Sequence, residues 1–233
     1  EVFGALSVPD EVRFQLCVGT SIAIIVPTNV LSFWTHRKQG AVNMDVVRTW
    51  SVPAIAGVAV GSAIAAFAPA AVLKIAFVLI AAMVAVKLLL GRASWQVADV
   101  LPGPAAMTGY GFSVGLGSSL MGISGGSISN VILTLHGMPM HNAVASSAGL
   151  GVPISIAGTV GYVLAGLPHE SQLPPFSIGF VSLIGFVLMA PISSFTAPYG
   201  ARLAHAWSKR RLEIAFGCFL LLVCARFIVS LAG

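Results

Sequence analysis

The feature that most constrains this chain is a run of glycines and serines set inside an apolar segment: Gly115-Leu116-Gly117-Ser118-Ser119-Leu120-Met121-Gly122-Ile123-Ser124-Gly125-Gly126-Ser127. Hydrocarbon offers no hydrogen-bond partners to backbone N–H and C=O groups, so a segment that crosses it is normally an unbroken helix. Non-helical backbone survives at membrane depth only where protein buries it or where it lines a polar cavity. A break this rich in glycine and hydroxyls therefore predicts a place where something polar meets the bilayer interior, as the broken helices of transporters do.

The bilayer itself follows from composition. Hydrophobic residues make up 57% of 233 and charged residues 8%, with a mean hydropathy of +0.96, whereas a soluble domain carries about 25% charged residues. The net charge of +5 reads as membrane orientation through basic cytoplasmic loops, not as affinity for nucleic acid. Cys17, Cys218 and Cys224 are odd in number and lie in apolar stretches. They define neither a disulfide framework nor a metal site, and no cofactor is implied.

Six segments have the length and apolarity to cross about 30 Å of hydrocarbon: Phe14 to Trp34, Trp50 to Ala68, Ala71 to Leu90, Asn142 to Ala165, Phe176 to Ala197 and Leu212 to Leu231. A seventh stretch, Ala105 to His136, holds the break. The segments also repeat. At an offset of 126, Val18 meets Val144, Thr20-Ser21 meets Ser146-Ser147, and Val26-Pro27 meets Val152-Pro153. At an offset of 139, Gly61 meets Gly200, Leu73 meets Leu212, Ile75-Ala76-Phe77 meets Ile214-Ala215-Phe216, and Lys87 meets Arg226. Internal repeats of this kind mark secondary transporters.

Charge orients the repeats. The loop after the first span carries Arg37, Lys38 and Arg48, while its counterpart around Leu167 to Gln172 has no Lys or Arg. The loop Tyr199 to Arg211 carries Arg202, Lys209, Arg210 and Arg211, while its counterpart near Pro69 has only Lys74. Swapped basic loops are what inverted repeats produce under the positive-inside rule. The expected fold is an all-α membrane protein, a single membrane domain of two inverted repeats, residues 1–100 and 101–233. Each repeat would have three crossings and a Gly-rich hairpin that enters and leaves on the cytoplasmic side. The first repeat's hairpin is expected upstream of Glu1, with Val2 to Leu6 as its tail.

The residues that could carry chemistry gather around the break. Gly122, Gly125 and Gly126 allow positive φ and close backbone approach. Ser127, Ser129 and Asn130 then open a short second half-helix, whose free N–H groups and partial positive charge suit an anion. Pro27 and Pro153 each remove a helical hydrogen bond inside a paired span. The expected binding set is Thr20, Ser21, Asn29, Ser124, Gly125, Gly126, Ser127, Asn130, Ser146 and Ser147, with Asn29 and Asn130 as further donors. Pro27, Gly122 and Pro153 are the expected hinges. Most of the seven acidic residues flank spans or lie in loops, which disfavours a cation pump with a buried carboxylate relay.

The order Gly111-Phe112-Ser113-Val114-Gly115, Gly122-Ile123-Ser124-Gly125-Gly126, Gly137-Met138-Pro139, Ala145-Ser146-Ser147 and Gly19-Thr20-Ser21 resembles the sulfite exporter TauE/SafE family of bacterial membrane proteins. His36, Gly40 and Leu73 to Phe77 share in the resemblance. It covers nearly the whole chain and implies a multi-pass inner-membrane carrier of sulfite or small sulfonate-type organosulfur anions. A proton and a second copy of the chain are candidate partners. Carriage of another small organic anion stays open. So does an intramembrane serine protease of the rhomboid kind, because Gly122-x-Ser124-x-Gly126 fits a nucleophile elbow; such a serine needs a histidine within reach. A purely structural or assembly role is the third alternative.

Overall fold

The computed structural model describes residues 9–90, 101, 103–206 and 209–232. The proposed tail Val2 to Leu6 and the repeat boundary at 100/101 fall at or outside those limits. The described chain is helical almost throughout: α1 (Asp10–Lys38), α2 (Met44–Phe67), α3 (Ala70–Leu90), α4 (Pro104–Met121), α5 (Gly126–Leu135), α6 (Met140–Gly166), α7 (Leu183–Ala206) and α8 (Lys209–Ala232). Among the described residues, α1, α2, α3 and the stretch Met140–Gln172 are long and apolar enough to cross a membrane, and α5 and Leu183–Ala197 are shorter apolar helices. Leu79, Met83, Val187 and Leu222 project outward, as lipid-facing side chains do.

One expected span starts later than the sequence suggested. Residues 176–182 are not helix: Ser177–Ile178 (β1) pairs antiparallel with Val181–Ser182 (β2). Phe176 and Gly179 take positive φ, +59° and +50°, which no right-handed helix accommodates, and Gly179 turns the hairpin. Phe180 N–H donates to Tyr162 O at 3.1 Å, fastening the hairpin to α6. Helix α7 begins only at Leu183.

The paired spans run antiparallel. Along α1 and α6, Gly19 meets Tyr162, Ile22 meets Gly158, Asn29 meets Ser155, Phe33 meets Gly149, and the rings of His36 and His141 lie 6.3 Å apart. Between α3 and α8, Cys224 Sγ reaches Val78 O at 3.8 Å while Gly217 packs on Leu89 and Ala85. Two further contacts are reciprocal. Asn43 N–H donates to Ser146 Oγ at 2.9 Å, and Ser182 N–H donates to Thr20 Oγ1 at 2.9 Å. Thr20 and Ser146 are 126 residues apart and Asn43 and Ser182 are 139 apart, the same two offsets seen in the sequence. Asn43 caps α2, its Oδ1 accepting from Val46 N–H, and Ser182 caps α7, its Oγ accepting from Gly185 N–H.

Helices α4 and α5 form a hairpin. Tyr110, in the second turn of α4, lies 5.4 Å from the ring of His136 at the end of α5. The ten residues of α5 therefore return about 15 Å, at 1.5 Å per residue, toward the end at which α4 began. The hairpin is held by α2. Trp50, Ala54, Val58, Met107, Val114, Leu133, Leu150 and Ile154 form one buried cluster across α2, α4, α5 and α6. Gly57 and Gly61 of α2 and Gly111 and Gly115 of α4 sit where a Cβ would collide with the facing helix. Small residues spaced by four let two helix backbones approach closely. Much of the glycine in α4 thus serves packing, while the glycines of the break serve something else.

Candidate functional site

Helix α4 stops at Gly122, whose φ of +70° puts it in the left-handed region. The N–H groups of Gly122 and Ile123 both turn back to Ser118 O, satisfying the last carbonyls as a glycine C-cap does. Gly125, with φ +73°, starts α5. No side chain caps that helix; the first internal bond is Ser129 N–H to Gly125 O at 2.9 Å. The N–H groups of Gly126, Ser127 and Ile128 are thus left without an intrahelical acceptor, at the positive end of the helix dipole.

That helix end opens into a cavity of about 340 Å³. Its walls are Asn29 from α1, Ile123 and Ser124 from the break, Gly126, Ser127 and Asn130 from α5, and Val144, Ser147 and Ala148 from α6. None of these carries a charge. The side chain of Ser147 is 3% exposed, and its Oγ has no hydrogen-bond partner; Asn130 Oδ1 is likewise buried and unpartnered. A buried polar atom without a partner costs about 1–3 kcal/mol. Both residues line the cavity beside the free helix N-terminus.

Six of the ten residues expected to bind come together here: Asn29, Ser124, Gly126, Ser127, Asn130 and Ser147. The other four lie elsewhere. Gly125 forms the turn, with Val114 and Ser118 packed where a side chain would go. Ser21 Oγ donates to Gly122 O at 3.0 Å, tying α1 to the break. Thr20 and Ser146 accept the N-cap N–H groups of α7 and α2. Pro27 and Pro153 lie inside α1 and α6, and Gly122 ends α4. Sequence reasoning missed the apolar wall of Ile123, Val144 and Ala148. Helical spacing held a signal for two of these, since Val144 and Ala148 share a face with Ser147.

The Asn29 amide is used differently from the donor role expected of it. Its Nδ2 donates to Gly151 O at 3.0 Å and to Ser155 Oγ at 3.2 Å, and Ser155 Oγ in turn donates to Val152 O at 3.2 Å. The bonds cross between the Pro27 and Pro153 turns of α1 and α6. As for the elbow-like Ser124, the described histidines lie away from it. His136 is at the far end of α5 with Nδ1 2.9 Å from Ile132 O, and His36 and His141 face each other at the helix ends.

Apolar helices around an uncharged cavity, with a broken hairpin reaching into it, are the architecture of a membrane transporter. Similarity to known proteins says which kind. The model of the family described as sulfite exporter TauE/SafE matches residues 3–227, and the chain belongs to that family. It is 26% identical over 218 residues to a probable membrane transporter protein of Haemophilus influenzae, covering 94% of this chain and 82% of the relative. A probable membrane transporter protein of Methanocaldococcus jannaschii is 25% identical over 220 residues, covering 94% of this chain and 80% of the relative. No solved structure matches the chain.

Proposed function

We propose that this transporter moves sulfite or a small sulfonate-type organosulfur anion, and that the cavity at the α5 N-terminus is its binding site. The observation that carries this reading is the pairing of an uncapped helix N-terminus with the buried, unpartnered hydroxyl of Ser147. A desolvated anion must regain hydrogen bonds, each worth about 1.5–3 kcal/mol when one partner is charged. The N–H groups of Gly126 and Ser127 and the hydroxyls of Ser124, Ser127 and Ser147 supply them, and the absence of a lining Lys or Arg keeps the well shallow enough for release. The cavity has the volume of about eleven water molecules, room for an oxyanion with a short substituent against Ile123, Val144 and Ala148.

The antiparallel α1–α6 and α3–α8 pairs and the reciprocal Asn43–Ser146 and Ser182–Thr20 contacts support reading residues 1–100 and 101–233 as two inverted repeats. Under that reading the helix ends carrying Arg37, Lys38, Lys87, Arg210 and Arg211 face the cytoplasm, and α1 rocks against α6 to alternate access.

Uptake of labelled sulfite into proteoliposomes tests the site. Gly126→Val should insert and fold yet carry little anion, because a Cβ there meets only Ser124 Oγ, at 3.8 Å, and the branched side chain would project toward the cavity. Unchanged flux would place the site elsewhere.

A further inference from the structure

The orientation of one amide bears on which anions the cavity accepts. Asn29 is 8% exposed and lines the cavity. One of the two acceptors it meets on α6 leaves no choice of orientation: Gly151 O can only accept, whereas the Ser155 hydroxyl is free to rotate. Turning the amide over would set Oδ1 against the Gly151 carbonyl oxygen. Nδ2 is therefore fixed on α6, and what Asn29 can offer a bound molecule is the acceptor Oδ1. No described hydrogen bond reaches that oxygen. Asn130 also lines the cavity, but no described hydrogen bond fixes its amide, so it can turn either end to a ligand.

Carbonyl oxygens are out of place in a site that only attracts negative charge. They repel a bare anion, and once water is displaced they stay unsatisfied unless the ligand brings a proton to them. We infer that Asn29 Oδ1 is a specificity device: the site takes anions that carry a hydrogen-bond donor of their own, whether a hydroxyl substituent, an ammonium group or the proton of a protonated oxyanion. The oxyanion end sits on the N–H groups of Gly126 and Ser127, and the donor end reaches the Asn29 amide oxygen. The same device answers a problem any neutral, dipole-built anion site faces, namely chloride, which is small, abundant and has no donor. A site that must leave a carbonyl unsatisfied to hold an anion discriminates against it more strongly than one that merely lacks an attraction.

This inference rests on the binding site proposed above, and the experiment separates the two. Purified protein in proteoliposomes is given 2-hydroxyethanesulfonate or propane-1-sulfonate, which differ by a hydroxyl in place of a methyl of similar size. The expected result is at least about tenfold better binding of the hydroxylated anion, the weight of one hydrogen bond, with chloride a poor competitor. In Asn29→Ser, whose hydroxyl can rotate to present either a proton or a lone pair, the ratio should fall several-fold toward unity. Equal handling of the two sulfonates by the unsubstituted protein, or an undiminished ratio in Asn29→Ser, overturns the inference and leaves anion transport standing. Failure of both sulfonates and of sulfite to move overturns the site assignment and the inference with it.

Discussion

Asn29 Nδ2 donates to Ser155 Oγ at 3.2 Å, and the two residues are 126 apart, the offset that aligns Thr20-Ser21 with Ser146-Ser147. In the proposed inverted-repeat arrangement these are matching positions, and because only a residue next to a dyad can contact its own counterpart, the axis relating the halves would pass beside this bond. The cavity opens beside it, since Asn29 belongs to both the bond and the wall. A change in the crossing of α1 and α6 would therefore alter this bond and the cavity together.

The reciprocal contacts Asn43–Ser146 and Ser182–Thr20 hold helix caps. Thr20→Val and Ser146→Ala each orphan a buried backbone N–H at a helix cap, which costs about 1–3 kcal/mol. Both should lower the unfolding midpoint in detergent by similar amounts while leaving sulfite affinity nearly unchanged. A stable variant with weakened affinity would instead put the hydroxyl in the site.

The glycines of the break should separate by role. Gly125 has φ +73°, and a Cβ there would meet Val114 Cγ1 at 2.9 Å, so Gly125→Ala should be destabilised by more than about 1 kcal/mol. Gly126→Ala meets open space on one side of Ser124 and should fold as well as the unsubstituted protein. Thermal unfolding of the purified variants checks the contrast; equal midpoints would mean the turn does not need its glycine.

These two cases show how far the sequence could be read. The break was legible because three glycines fall within Gly122 to Gly126, although Gly115 to Ser119 of the same run stay helical in α4, and the paired hydroxyls were legible because they recur at one offset. What spacing could not decide was which member of each pair meets the cavity. Neighbouring residues on a helix point about 100° apart, so Ser147 faces the site while Ser146 caps α2. That choice depends on where α2 begins, which is a tertiary fact. The start of α7 was illegible for a related reason. Phe176, Ile178 and Val181 are as apolar as a span, and what keeps this segment from the helix is tertiary: the β1–β2 pairing and the bond from Phe180 N–H to Tyr162 O of α6.

Sidedness follows from the path of the chain. Leu167–Gln172 follows α6, and one long helix, α7, separates it from Arg211. With Cys17, Cys218 and Cys224 replaced by alanine, Ser171→Cys and Arg211→Cys should react with a membrane-impermeant maleimide from opposite faces of oriented vesicles. Labelling from one face would break the inverted arrangement.

The sharpest prediction concerns Ser147, because its effects on fold and on binding should have opposite signs. In the empty protein its hydroxyl is 3% exposed and bonds to nothing, so removing it relieves an unsatisfied polar group and Ser147→Ala should leave the unfolding midpoint unchanged or slightly raised. On the proposed site that hydroxyl would donate to the anion in the occupied protein, and its loss should weaken binding about tenfold. The stabilisation that saturating sulfite confers on the unsubstituted protein should then shrink by about 1.4 kcal/mol at fixed ligand concentration. Thermal unfolding with and without sulfite measures both effects in one experiment. A variant that loses stability when empty and keeps its full response to sulfite would show that Ser147 holds the helices together and does not touch the substrate.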